Sequence, residues 1–389
     1  MEAEDPLAKK RLEGVHVMRV VREVFLLPLI GIFFLCPLAL GYSVEFSKNF
    51  TIDEIAPGIV KVVVSNPWRG ADGGFCYILR DKGAKGVVLE KGCEVVDVPI
   101  RSMVVLSSTY YALIDALGAT DLLIGASRPQ RANTPSVRKG YLAGKIKDVG
   151  DGVDVGVETI YALKPDVIFT YATGGVRDAH PKLKEAGLRV VVCAEYMEEH
   201  PLGRAEWIKF FALFFDRYDR AQSLFDEVVK SYNRLTQLVD TASKGLRPTV
   251  ITNTPFAGRW FVPGGKSFIA KILEDAGADF LFKGTNTSGS IPMDIELVYE
   301  KGLNADYWVN TGTWTSLEDI ERSDPRLMRL KAVREKRVYN NNRRVNNEGG
   351  NDYWESGVLR PDRILEDLVS IFHPHILKGH TLFYYKRLE

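Results

Sequence analysis

The sequence predicts an α/β protein of two Rossmann-like lobes with central parallel sheets, joined by a long rigid α-helix and preceded by a small β-rich extension. Three observations predict it. Continuous β-branched runs alternate with amphipathic helical stretches in two separate sets, the pattern of parallel strands covered on both faces. Between the sets, Glu206 to Ala242 runs with almost no Gly or Pro, which leaves helix as its comfortable state. Both sets also contain the same local order of Glu, apolar helix, turn, Asp and apolar strand.

At the amino terminus, Val24 to Leu40 is an uncharged apolar run preceded by Arg19, Arg22 and the Lys9-Lys10-Arg11 cluster. Ala39 and Gly41 supply the small residues that a signal peptidase reads, so residues 1–41 read as an export segment cleaved before Tyr42. Met18 offers a more ordinary start. About 17 apolar residues are also just long enough to span a bilayer, so a retained anchor is the alternative. Cys36 suits lipid attachment poorly, because Phe33-Phe34-Leu35 precedes it and Pro37 follows.

Residues 42–98 read as the extension, with short strands at Ile59 to Val64, Cys76 to Leu79 and Val87 to Leu89 between Gly, Pro and Asp turns. Residues 99–202 form the first lobe, with strands at SMVVLSS, LLIGAS, PDVIFTYA and RVVVCAEY. Residues 203–244 form the linking helix, with a break expected at the DRYD sequence, Asp216 to Asp219. Residues 245–389 form the second lobe, through PTVITNTP, SFIAKILEDAGAD, ADYWVNTG and KRVYNNN to a final helix at Asp362 to Phe372.

Composition excludes several classes. With 51 basic and 50 acidic residues interspersed, the net charge is +1 and there is no basic face for nucleic acid. The four cysteines, Cys36, Cys76, Cys93 and Cys193, show neither CxxC nor metal-ligand spacing. A Cys76–Cys93 disulfide is one available pairing. Gly264-Gly265-Lys266-Ser267 is only superficially a phosphate loop, since the motif needs glycine where Trp260 stands. A Ser-His-Asp order and an HExxH motif are likewise missing. The competing classes are an enzyme on a related scaffold, such as a chelatase or metallocluster protein, and a membrane-tethered sensor with Val24 to Leu40 retained.

Several separate pieces in order carry a resemblance. They are residues 105–127, residues 148–172, the Gly264-Gly265-Lys266-Ser267 helix start, LEDAGADFLF at 273–282, residues 291–309 and RPDRILEDLVSIFHP at 360–374. From about Pro99 to Leu377 the chain resembles the helical-backbone solute-binding proteins that serve ABC importers of siderophores, haem and cobalamin. The resemblance implies an extracytoplasmic, monomeric, non-enzymatic protein that delivers an iron complex, haem or a corrinoid to a permease dimer in the cytoplasmic membrane. It also implies roles for Glu158 and Glu296, each in the first turn of a helix in the repeated segment: docking to arginines on the two permease subunits. An acid in that position also meets the positive end of the helix dipole, which contributes a few tenths to about 1 kcal/mol whatever else it does. A single stiff helix between lobes further implies small closure around a preformed groove.

In parallel α/β lobes ligands sit at the carboxyl ends of strands, so the loops there supply the candidates. The first lobe offers Ser108, Thr109, Tyr110, Arg128, Tyr171 and Tyr196. The second offers Phe256, Arg259, Trp260, Trp314 and Arg343. Aromatic rings stack on flat ligands and guanidinium groups meet anionic oxygens bidentately, which suits a large catecholate-like or tetrapyrrole cargo. Each such Tyr or Trp equally serves to cap the core. For haem, Tyr110, Tyr171 or Tyr196 would be iron ligands. The six histidines do not gather at these loops, so a bare metal ion and a resident cofactor are not expected.

Overall fold

The computed structural model describes residues 41–84, 90–243 and 245–389. The apolar segment Val24 to Leu40, Cys36 and the expected strand at Val87 to Leu89 lie outside the described residues. No described helix is long and apolar enough to cross a membrane.

The extension is a four-stranded sheet of β1 (Phe50–Ala56), β2 (Ile59–Val64), β3 (Phe75–Asp81) and β4 (Cys93–Val98), in that order. β3 and β4 run parallel with Cys76 opposite Cys93, 4.4 Å apart at Cα, and the two form a disulfide. The inner face of the sheet, including Val62, Val64, Tyr77, Leu79 and Val96, is buried. It packs on the first lobe, where Val192 donates its N–H to the Tyr77 hydroxyl at 2.8 Å. The described residues of 42–98 therefore share one core with the lobe.

The first lobe contains β5 (Met103–Val105), α1 (Tyr111–Ala116), β6 (Leu123–Ala126), α2 (Pro135–Leu142), β7 (Lys147–Asp148), α3 (Val157–Leu163), β8 (Val167–Tyr171), α4 (His180–Glu185) and β9 (Val190–Cys193). Its strands are all parallel in the order β7-β6-β5-β8-β9. The order in which the chain lays down its strands reverses between β5 and β8, the position at which such sheets place ligands at the strands' carboxyl ends.

The linking segment is two helices, α5 (Pro201–Phe215) and α6 (Tyr218–Ala242), so the linker is rigid in two pieces and not along its whole length. Asp216 takes a left-handed conformation, φ 56°, and ends α5 there. The break falls in the DRYD sequence. All 15 residues of α5 are buried, as its nearly uninterrupted apolar surface requires. α5 is thus the shared core of the molecule, and the rod is α6, about 37 Å long at 25 residues. Near its start Arg217 and Arg220 donate to Leu117 O and Ala116 O of the first lobe, and further along the Tyr232 hydroxyl donates to Asp275 of the second.

The second lobe contains β10 (Thr249–Thr252), β11 (Pro255–Phe256), β12 (Arg259–Pro263), α7 (Phe268–Asp275), β13 (Asp279–Phe280), β14 (Ser290–Met293), α8 (Ile295–Gly302) and β15 (Tyr307–Val309). Then come α9 (Leu317–Ser323), α10 (Lys331–Arg334), β16 (Val338–Asn340), α11 (Ser356–Leu359), α12 (Pro361–Phe372) and β17 (Lys386–Arg387). The main sheet has the order β13-β10-β15-β16-β17, parallel except for β17, and β11-β12-β14 form a small antiparallel sheet. The Gly264-Gly265-Lys266-Ser267 sequence starts α7, with Ser267 as its N-cap. A side chain at either glycine would strike the backbone of Thr287 or Lys283, so the pair serves packing.

Candidate functional site

The order of the second-lobe sheet reverses between β10 and β15, and the residues following these strands are Asn253 and Asn310. Both take left-handed φ values, 62° and 61°, which asparagine tolerates better than most residues. Asn253 donates from Nδ2 to Phe261 O, and the Tyr385 hydroxyl donates to Asn310 Oδ1 at 2.8 Å. These bonds fix both amides at the lip of a cleft of about 1200 Å³.

The cleft joins aromatic surface to polar groups. Phe256, Phe261, Val345 and Trp354 line it, and all four are exposed large hydrophobic side chains. Solvent-facing apolar surface gathered in one concavity is the mark of a binding site. Asn341, Asn342, Thr313 and Thr315 add amides and hydroxyls, while Arg343 and Lys386 add positive charge. The first lobe contributes Tyr196, whose hydroxyl donates to Ala172 O at 2.6 Å. A smaller space of about 230 Å³ shares Tyr196, Ser288 and Gly289 with the cleft and adds Arg69, Thr173 and Met197.

Charge in this region has one sign. Arg69, Arg343 and Lys386 line the two spaces, and among the described residues no carboxylate or histidine lines either. None of the three cations pairs with a carboxylate among the described residues, unlike Arg344 with Asp352 or Arg387 with Glu389. Nor do any three His, Cys, Asp or Glu side chains among the described residues gather as metal ligands.

Of the residues expected at the site, Tyr196, Phe256 and Arg343 line the cleft. Tyr110 does not, because it is fully buried against Phe211 beneath the first lobe's strand ends, and burial pushes its phenol well above the ordinary value. Trp260 is also fully buried, stacked on Trp308 with its indole N–H donated to Thr252 O. Trp314 packs edge-on against Trp308 and its carbonyl accepts from Asn340 and Asn342. These three cap cores. Thr109 donates its hydroxyl to the buried Glu195, Arg128 pairs with Asp151 at 3.2 Å, and Ser108 and Arg259 are exposed away from the lining. Tyr171 is half-buried at the end of β8, where burial and then Asp151 raise its phenol. Burial likewise pushes Tyr196 up to about 12.

Sequence reasoning missed Phe261, Phe268, Trp354, Lys386 and Arg69. The alternation of β12 could have found Phe261, since Trp260 faces the core and its neighbour must face out.

Glu158 and Glu296 occupy the first turns of α3 and α8, and both are exposed. The two helices are equivalent: each precedes the strand next to the first strand of its lobe's sheet, β8 beside β5 and β15 beside β10. Exposed apolar side chains accompany them, Tyr161 on α3 and Leu297 on α8. Glu296 is paired with Arg326 at 2.5 Å.

A family model described as periplasmic binding protein matches residues 103–343. Among curated proteins, an uncharacterized lipoprotein of Methanocaldococcus jannaschii is 29% identical over 75% of this chain and 70% of its own length. A second lipoprotein of that organism is 25% identical over 81% and 83%. Among solved structures, a periplasmic heme binding protein from Pseudomonas aeruginosa is 18% identical, with a TM-score of 0.57 over 75% of this chain and 98% of that one. A possible iron-binding periplasmic solute-binding protein from Staphylococcus epidermidis is 20% identical, with a TM-score of 0.55 over 71% and 99%. The Helicobacter pylori protein CeuE, crystallised with Ni(II), is 17% identical, with a TM-score of 0.57 over 74% and 88%. The structural likenesses are likenesses of fold.

Proposed function

The chain belongs to the periplasmic binding protein family, and from that premise we propose that it is the extracytoplasmic capture subunit of an ABC importer whose cargo is an anionic, pre-formed iron chelate. One observation carries the choice of cargo: a cleft of about 1200 Å³ whose charged lining is entirely cationic. Unpaired cations in a partly dry groove favour anionic oxygens, and Phe256, Phe261 and Trp354 offer surfaces on which catecholate rings stack.

The chelate arrives with its coordination sphere complete. Among the described residues Tyr196 is the one tyrosine in the lining, and its hydroxyl is engaged with Ala172 O and its phenolate is disfavoured by burial. Haem that needs a protein axial ligand therefore fits this cleft less well than a siderophore-type complex. The heme-, iron- and nickel-binding neighbours support a metal-complex cargo in general terms. Export is supported by the amino-terminal apolar segment, the Cys76–Cys93 disulfide and the lipoprotein names of the archaeal relatives. Delivery to a permease dimer rests on Glu158 and Glu296, one exposed acid per lobe.

The test is direct titration of the purified protein, followed by tryptophan fluorescence, with a ferric tris-catecholate, ferric citrate, a neutral ferric tris-hydroxamate and hemin. Trp354 in the lining should report binding, with the tris-catecholate tightest and recovered unchanged. Preference for the neutral complex, or chemical conversion of any probe, overturns the reading.

A further inference from the structure

The four-stranded amino-terminal sheet lies outside the residues that the family model matches, yet one of its loops reaches the smaller space beside the cleft. The loop is residues 65–74, joining β2 to β3. It is anchored at its base by Ser65, which donates its N–H to Asn49 O at 2.9 Å, and at its crest by a turn in which Ala71 donates to Trp68 O. The Tyr196 hydroxyl, itself part of the cleft lining, also lies 3.2 Å from Pro67 O.

At the crest, Trp68 and Arg69 point to different lobes. The Trp68 ring lies over Gly174, which has φ 76°, and against Phe75 and His180 on the first-lobe side. A Cβ at position 174 would come within 2.5 Å of that ring. The Arg69 guanidinium lies over Gly289 in the second lobe, where any Cβ would overlap it. Gly174 is therefore needed to seat the Trp68 ring, and Gly289 leaves the Arg69 guanidinium room to lie flat on the second lobe.

Arg69 sits where the two spaces meet, since Gly289 and Ser288 line both. Asp178, the carboxylate closest in sequence to the first-lobe wall of this space, is occupied by Thr173 and Gly174 and does not line it. The guanidinium thus faces about 230 Å³ of space with no carboxylate in the lining among the described residues.

We propose that the amino-terminal sheet builds an accessory anion subsite beside the main cleft, in which Arg69 contacts a carboxylate or catecholate arm of the bound chelate. The inference rests on the anionic-chelate reading given above. The main cleft holds the body of the ligand between Arg343 and the aromatic wall. The subsite, closed by Arg69, Ser288, Thr173 and Met197, receives an arm that projects toward the first lobe. A bidentate guanidinium in a half-enclosed site separates charged from neutral arms of equal size, so the extension sets selectivity among chelates that the lobes alone would accept.

The experiment compares the wild-type protein with Arg69→Gln and Arg69→Lys, using ferric tris-catecholate as the probe at low and at high ionic strength. Because Arg69 is exposed, both variants should melt with the wild type. Arg69→Gln is expected to weaken binding by on the order of tenfold at low salt and to flatten the salt dependence, with Arg69→Lys between the two. An unchanged dissociation constant, or a loss of equal size at both salt concentrations, overturns the subsite. Failure of the wild-type protein to bind any chelate instead overturns the function on which the subsite rests, so the two failures are told apart.

Discussion

Glu355 of the second lobe accepts a hydrogen bond from the Thr134 backbone N–H of the first at 2.6 Å, and the Thr134 hydroxyl donates to the same oxygen. Its other oxygen accepts from Asn133 N at 2.8 Å. Glu355 and Thr134 are both buried, so this is a dry lock between lobes. Glu355→Ala would leave two backbone donors unpaired across the interface. It should lower stability by about 2–4 kcal/mol, and Glu355→Gln by less, since the amide oxygen keeps one bond. Urea unfolding measures the loss, and hydrogen exchange should rise at residues 133 and 134 in the alanine variant. Equal stability of all three proteins would show that the lock carries no load.

A second buried acid ties the extension down. Glu206 on α5 accepts from the backbone N–H groups of Glu45, Phe46 and Ser47 at 2.7–2.8 Å, and from Lys209 at 2.9 Å. Lys209 in turn donates to Ser43 O and lies over the Phe225 ring. Glu206→Ala strands a buried ammonium and three amides. The expected cost is about 3–5 kcal/mol. Limited proteolysis should then cut between Ser43 and Asn49, a stretch that the hydrogen bonds to Glu206 and Lys209 are expected to protect in the wild type. Resistance of the variant to cleavage there would mean that packing of Phe46 and Phe50 alone holds the segment.

The elements were legible in the sequence wherever one periodicity applied. The parallel strands appear as unbroken apolar runs because both faces are buried, and the break between α5 and α6 was visible in the polar Asp216 to Asp219 sequence. The cleft was legible only as a set of loops. Strand-end position brings Asn253, Phe256 and Arg343 to the right place, but it does not say which way a side chain turns, and Tyr110 and Trp260 turn inward. Arg69 was not legible at all. Its partner surface at Gly289 is 220 residues away, and nothing local in residues 65–74 records that separation.

Glu158 and Glu296 differ in one respect that matters for docking. Among the described residues Glu158 has no ion-pair partner, whereas Glu296 is held by Arg326, which also pairs with Asp324 at 2.7 Å. An exposed pair of this kind is worth little, so a permease arginine can displace Arg326 at small cost. The double variant Glu158→Ala/Glu296→Ala should keep chelate affinity within about twofold while lowering uptake by at least about tenfold. Arg326→Ala should leave uptake intact or raise it. Transport assays in cells carrying the partner permease, alongside titration of the purified proteins, separate the two effects. A matching fall in affinity would argue against docking.

Glu195, two residues beyond β9, is a carboxyl that is 2% exposed, with one oxygen bonded to Thr109 and the other without a partner among the described residues. Burial raises its pKa above the ordinary 4.5, and the neighbouring Arg204 and Thr109 only partly oppose that rise. The folded chain therefore holds this proton more tightly than the unfolded chain does. The stability it contributes is fully present below 4.5 and is lost as pH rises through the higher folded value. Glu195→Gln cannot ionise, so it escapes that loss while keeping an acceptor for the Thr109 hydroxyl. The melting temperature of the variant minus that of the wild type should accordingly increase from pH 4.5 toward pH 7.5, whatever its value at any one pH. His180, His200 and His373, whose values burial lowers, titrate in the opposite sense from 6.5 downward, but they are common to both proteins and cancel in the difference. Calorimetry of the two proteins across that range decides the matter, because a difference that stays flat with pH would mean the Glu195 carboxyl titrates as an ordinary exposed group.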